Sequence, residues 1–98
     1  MANTRKKCKT SAEKHHLSKV AALGCMACRT IGYEDTPAEL HHIRSGVGMG
    51  QRSDNYHVIP LCAGHHRHLP NAIHQSKVNF ERDFGTELEL LEMVNNEL

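Results

Sequence analysis

The chain has 98 residues, room for one small domain, and it combines nine histidines and four cysteines with two Phe, two Tyr and no Trp, a balance that points to a core stabilised by metal. Its formal net charge is only +1, but residues 1–19 carry six basic side chains against Glu13, and residues 81–98 carry six acidic ones against Arg82. No apolar run approaches the ~20 residues of a membrane span and the polar, basic N-terminus is no signal peptide, so the chain is expected in the cytosol with no membrane partner, where closely spaced cysteines mean metal rather than disulfide.

Residues 1–9 read as a disordered basic arm and residues 10–98 as a single domain. Arg5, Lys6, Lys7 and Lys9 suit an arm facing DNA or another polyanion, and a solvated terminus explains the same charge. Cys8 lies in this arm without a partner. "TSAEKHHLSKVAALG" predicts a helix: Thr10 and Glu13 fit a capping box, Leu17, Val20 and Ala21 share a face, and Gly24 ends it. His15 and His16 are expected on its surface. "CMAC" follows as a metal knuckle on a tight turn. "AELHHI" (38–43) predicts a strand, and "RSGVGMGQRSDN" (44–55) a mobile loop that lacks the Gly-Lys-Ser/Thr end of a phosphate-binding loop. "YHVIPL" (56–61) predicts a second strand, and "CAGH" opens a short helix that stops near Pro70. "SKVNFERDFG" predicts a helix with Phe80 and Phe84 four apart and Gly85 as terminator. "TELELLEMVNNEL" repeats the capping-box pattern at Thr86 and Glu89, with an apolar stripe expected from Leu88, Leu91 and Val94 or Leu98. The fold class is α+β.

Cys25-x-x-Cys28 and Cys62-x-x-His65 share one spacing. Two ligands three apart on a tight turn reach one tetrahedral ion, and two such pairs close a four-coordinate structural zinc site. The histidines left over need another explanation. Helical neighbours point ~100° apart, so His65 can face the zinc while His66 faces elsewhere; a turn one residue longer would exchange the two. On a straight helix His74 would lie ~12 Å beyond His66, but Pro70 breaks that helix and lets His74 fold back. His41 and His42 are neighbours in a strand and face opposite sides, so sharing one site requires the strand to end or bulge there. His68 has no task and is expected on the surface.

Together, "CMAC", "ELHHI", "DNYHVIPLC" and "CAGHH" resemble the HNH, or His-Me finger, nucleases. "HHRHLPNAIHQSKVNFERDFG" further resembles the phage and prophage subgroup of Ref recombination-enhancement nucleases and YbcO-like proteins. The resemblance spans roughly residues 20–85. It implies a small zinc-stabilised ββα-metal domain with flanking helices, acting as a metal-dependent DNA endonuclease in phage or prophage recombination, with cleavage dependent on a RecA filament. On this resemblance His42 is the general base, since a neutral imidazole can take a proton from water. His41 and His66 are ligands of the catalytic ion, and His74 is a third ligand or holds the phosphate. The middle motif position, which orients the base, falls on Asn55 or His57. Arg44, Arg52 and Arg67 lie close to the motif and could bind neighbouring phosphates. Imidazole ligands favour Zn²⁺, Ni²⁺ or Mn²⁺ over Mg²⁺, and all four stay open. Two other readings use fewer of the histidines: a non-catalytic zinc-stabilised nucleic-acid-binding module, and a RecA-associated accessory protein. Oligomeric state is not legible in the sequence.

Overall fold

The computed structural model describes residues 10–44 and 55–98. The basic-arm residues Arg5, Lys6, Lys7, Cys8 and Lys9, and Arg52 of the glycine-rich stretch, lie outside the described residues. Helix α1 (Ser11–Ala22) begins with the expected capping box. Thr10 Oγ1 accepts from the Glu13 amide at 3.1 Å, and Glu13 Oε1 accepts from the Thr10 amide at 2.8 Å. Leu17 and Val20 are buried. Gly24 then turns the chain at φ +81°, where a Cβ would meet Asp35 Cα and the Thr36 carbonyl at 3.1 Å, so backbone approaches backbone and only glycine fits.

The "CMAC" knuckle is not a bare turn. It starts a five-residue helix, α2 (Met26–Thr30), whose N-cap is Cys25: its Sγ accepts from the Cys28 amide at 3.3 Å. A side-chain acceptor at the N-cap satisfies an amide that the helix leaves open. Met26 and Ala27 are fully buried.

The hairpin comes next. Strand β1 (Glu39–His42) pairs antiparallel with β2 (Val58–Leu61), in the register Glu39–Leu61, Leu40–Pro60, His41–Ile59 and His42–Val58. The Ile43 amide adds one bond to the His57 carbonyl at 3.1 Å. All four residues of β2 are buried, because α1, α2 and α4 (Glu87–Glu97) pack against it. Covering on both faces explains the unbroken apolar run "VIPL". Pro60 is tolerated because a two-stranded sheet leaves each strand one unpaired edge.

The short helix expected before Pro70 is present but π-wound, over Gly64–His68. The Gly64 carbonyl accepts from the Leu69 amide five residues on, at 2.9 Å. Past Pro70 the chain folds back as expected: the Ile73 amide donates to the His65 carbonyl at 2.9 Å, and the His74 amide to the His66 carbonyl at 3.1 Å. Helix α3 (Lys77–Phe84) is capped by Ser76 and ends at Gly85, which takes φ 119°.

Helix α4 bears out Leu91 and Val94 of the expected stripe but not Leu88. It buries Glu87, Leu90, Leu91 and Val94, whereas Leu88 is 57% exposed and Leu98 43%. The Thr86–Glu89 capping box sets the start, and the inward stripe then runs 87, 90, 91, 94, the i, i+3, i+4, i+7 pattern of one helix face. Phe80, Ile43, Ile59, Leu61 and Leu90 join Met26 in one core around the hairpin. Among the described residues no helix is long and apolar enough to cross a membrane.

Candidate metal centres

The two knuckles converge. Cys25, Cys28, Cys62 and His65 bring three Sγ atoms and one ring nitrogen within 4.8 Å of one another. Cys28 Sγ lies 3.8 Å from Cys62 Sγ, and His65 Nδ1 lies 3.2, 3.4 and 3.8 Å from the sulfurs of Cys62, Cys28 and Cys25. A tetrahedron with metal–sulfur bonds of ~2.3 Å and a metal–nitrogen bond of ~2.0 Å has edges of about 3.8 Å (S···S) and 3.5 Å (S···N). The spacing therefore fits zinc, and a 3.8 Å sulfur pair is no disulfide. Burial, reinforced by the sulfurs of Cys62 and Cys28, pushes the Cys25 thiol up to about 12. A bound cation is what would deprotonate it, since a coordinating thiol gives up its proton. Burial also lowers the His65 imidazole, which keeps it a neutral donor. It is His65, not His66, that joins the sulfurs.

A second group lies on the other side of the π-helical turn. His41, His66 and His74 each offer one ring nitrogen, all within 4.8 Å. His41 Nδ1 and His66 Nε2 are 3.2 Å apart, and His66 Nε2 and His74 Nε2 are 3.0 Å apart. Ligands at ~2.1 Å from one ion are separated by about 3.0 to 3.4 Å, depending on the bond angle, so the trio also fits a metal. The fold-back after Pro70 delivers His74. Burial, then the neighbouring His41 and His66, lowers the His74 imidazole.

Each of the first two histidines is backed by a carboxylate that sequence reasoning missed. His41 Nε2 donates to Glu87 Oε2 at 2.6 Å, and both side chains are almost wholly buried. His66 Nδ1 donates to Glu39 Oε1 at 2.8 Å. Glu39 also accepts from Arg67 Nε at 3.0 Å, and Arg67, then His66, holds its carboxyl down to about 2. Two signals were present. Glu39 stands two before His41 in a strand, hence on the same face. Glu87 opens the 87/90/91/94 stripe. Arg67, expected on phosphate, has its guanidinium fork on Glu39.

His42 is not part of the trio. It is the last residue of β1, and as the strand neighbour of His41 its side chain takes the opposite face. There His42 Nε2 lies 2.9 Å from Asn55 Oδ1, and Asn55 Nδ2 donates to Glu13 Oε2 at 3.4 Å. A carboxylate only accepts, so Glu13 turns the amide nitrogen toward itself and the amide oxygen toward His42. With the amide oxygen as acceptor His42 Nε2 is the donor, and among the described residues no hydrogen bond reaches its Nδ1. Of the two candidates for the middle position, Asn55 has its side chain on His42, while His57 contributes its carbonyl to the hairpin. Arg44 and His68 are exposed. His15 is exposed, but His16, expected on the surface, is half-buried with its ring centroid 5.0 Å from that of Tyr56.

Over residues 9–98 the chain matches a family described as "Recombination enhancement, RecA-dependent nuclease". No curated protein matches it.

Proposed function

The chain belongs to this recombination-enhancement, RecA-dependent nuclease family, and from that premise we propose that it is a ββα-metal, His-Me finger endonuclease that hydrolyses DNA phosphodiesters. In this reading Cys25, Cys28, Cys62 and His65 hold a structural zinc, His41, His66 and His74 hold the catalytic ion, and His42 is the general base. The observation that carries it is the convergence of three imidazole nitrogens within 4.8 Å, at the end of the strand that also bears His42.

A divalent ion bound by the trio supplies Lewis-acid polarisation of a phosphate and offsets charge on the departing 3′ oxygen. The chain's own residues supply the rest. His42 takes the proton of the attacking water at Nδ1, and Asn55 holds its ring by the bond at Nε2. Because β1 ends at His42, adjacent side chains leave the strand end toward two sides. A phosphodiester lying across that end meets the trio on one side and the base on the other. Arg44, exposed just past the strand, is available to a flanking phosphate. Three imidazole ligands favour Zn²⁺, Ni²⁺ or Mn²⁺ over Mg²⁺.

The test is nicking of supercoiled plasmid, with and without RecA filaments, across Mg²⁺, Mn²⁺, Ni²⁺ and Zn²⁺. Cutting is expected only with a divalent ion and mainly on filament-bound DNA. DNA binding without cutting under every condition would instead favour the non-catalytic module.

A further inference from the structure

Among the described residues Glu87 is the only acidic side chain in the core, 1% exposed, at a position where the stripe of α4 calls for an apolar residue. Its two oxygens have separate tasks. Oε2 accepts from His41 Nε2 at 2.6 Å, while Oε1 accepts from the Arg44 amide at 3.0 Å and lies 3.9 Å from Lys77 Nζ. One carboxylate thus grips the ring of His41 and the backbone just beyond the end of β1. A buried carboxylate is costly unless each oxygen is matched, and packing alone would be served by leucine. The bond at Nε2 keeps the proton there and leaves the Nδ1 lone pair of His41 facing His66 Nε2, 3.2 Å away. A carboxylate behind a metal-bound histidine fixes its orientation and raises its strength as a donor.

We infer that Glu87 is a positioning residue of the histidine centre, setting which nitrogen of His41 faces the ion, so that α4 is a working part of the site rather than a flanking helix. The inference rests on the proposed metal centre.

It is tested on protein carrying its structural zinc, titrated with Co²⁺ by calorimetry and visible absorption. Glu87→Gln and Glu87→Leu should keep one zinc per chain and a cooperative melt, lowered by loss of the bonds to His41 and the Arg44 amide, and bind Co²⁺ on the order of 10- to 100-fold more weakly. A purely structural role predicts the same lowered melt with unchanged Co²⁺ affinity, and that result overturns the inference while leaving the metal centre standing. If wild-type protein takes up no Co²⁺ beyond the zinc site, both fall. Should the variants fail to fold, long-range ¹H–¹⁵N spectra of wild-type histidines decide. His41 protonated at Nε2 supports the inference, and His41 protonated at Nδ1 overturns it.

Discussion

Replacing Cys62 with alanine is expected to unfold the domain outright. Cys62 stands between β2 and the π-helical turn, and its sulfur completes the four-residue group with Cys25, Cys28 and His65, in which a tetrahedral zinc would sit. Cys25 and Cys28 belong to the apolar core itself and bracket the start of α2. Without a cation, burial pushes the Cys25 thiol up to about 12, so the apo site holds a protonated Cys25 in place of a bonded centre. Structural zinc contributes roughly 10–16 kcal/mol in small zinc-folded peptides, comparable to the whole ~5–15 kcal/mol stability of an ordinary domain. Loss of one ligand therefore exceeds what the small core can absorb. Circular dichroism should show loss of helix and no cooperative melt, with zinc content falling below one per chain; a strong chelator should do the same to the wild type. A Cys62→Ala protein that melts like the wild type would mean that the four-ligand site is not structural.

The second large effect belongs to His42. His42→Ala is expected to lower the nicking rate on RecA-bound DNA by roughly 10²- to 10⁴-fold, the usual contribution of a positioned general base. The fold and both metal sites should survive. His42 is only half-buried at the end of its strand, and its side-chain partner is Asn55 rather than the core. Melting temperature and metal content read alongside the rate separate lost chemistry from lost structure. A folded, metal-replete variant that cuts as fast as the wild type would remove His42 from the mechanism.

Much of this arrangement was legible in the sequence, because local rules govern it. Both capping boxes form where Thr10–Glu13 and Thr86–Glu89 predict them. The hairpin falls within the two predicted strands, and the shared spacing of the knuckles brings Cys25, Cys28, Cys62 and His65 together. Pro70 does return His74 to His66. What stayed hidden depends on contacts between distant segments. Glu87 lies 46 residues from His41, and in the sequence it is one of six acidic side chains over residues 81–98. Taking the α4 stripe from Leu88 instead of Glu87 concealed that a carboxylate occupies an inward position. Glu13 was assigned to a cap and does cap α1, but its second oxygen also orients Asn55, a contact no local pattern announces. The π-winding of Gly64–His68, the stretch that bears ligands of both groups, likewise has no local signature in the sequence.

The central claim is that the histidine trio is a catalytic centre distinct from the zinc knuckle, and His66→Ala tests it most directly. His66 adjoins the knuckle ligand His65 yet contributes its Nε2 to the other group. Nicking of RecA-bound plasmid and elemental analysis should be performed on the same preparation. One retained zinc per chain, no second ion and cutting reduced to background are expected. Cutting at the wild-type rate by a protein that holds one zinc and no second ion would contradict the claim.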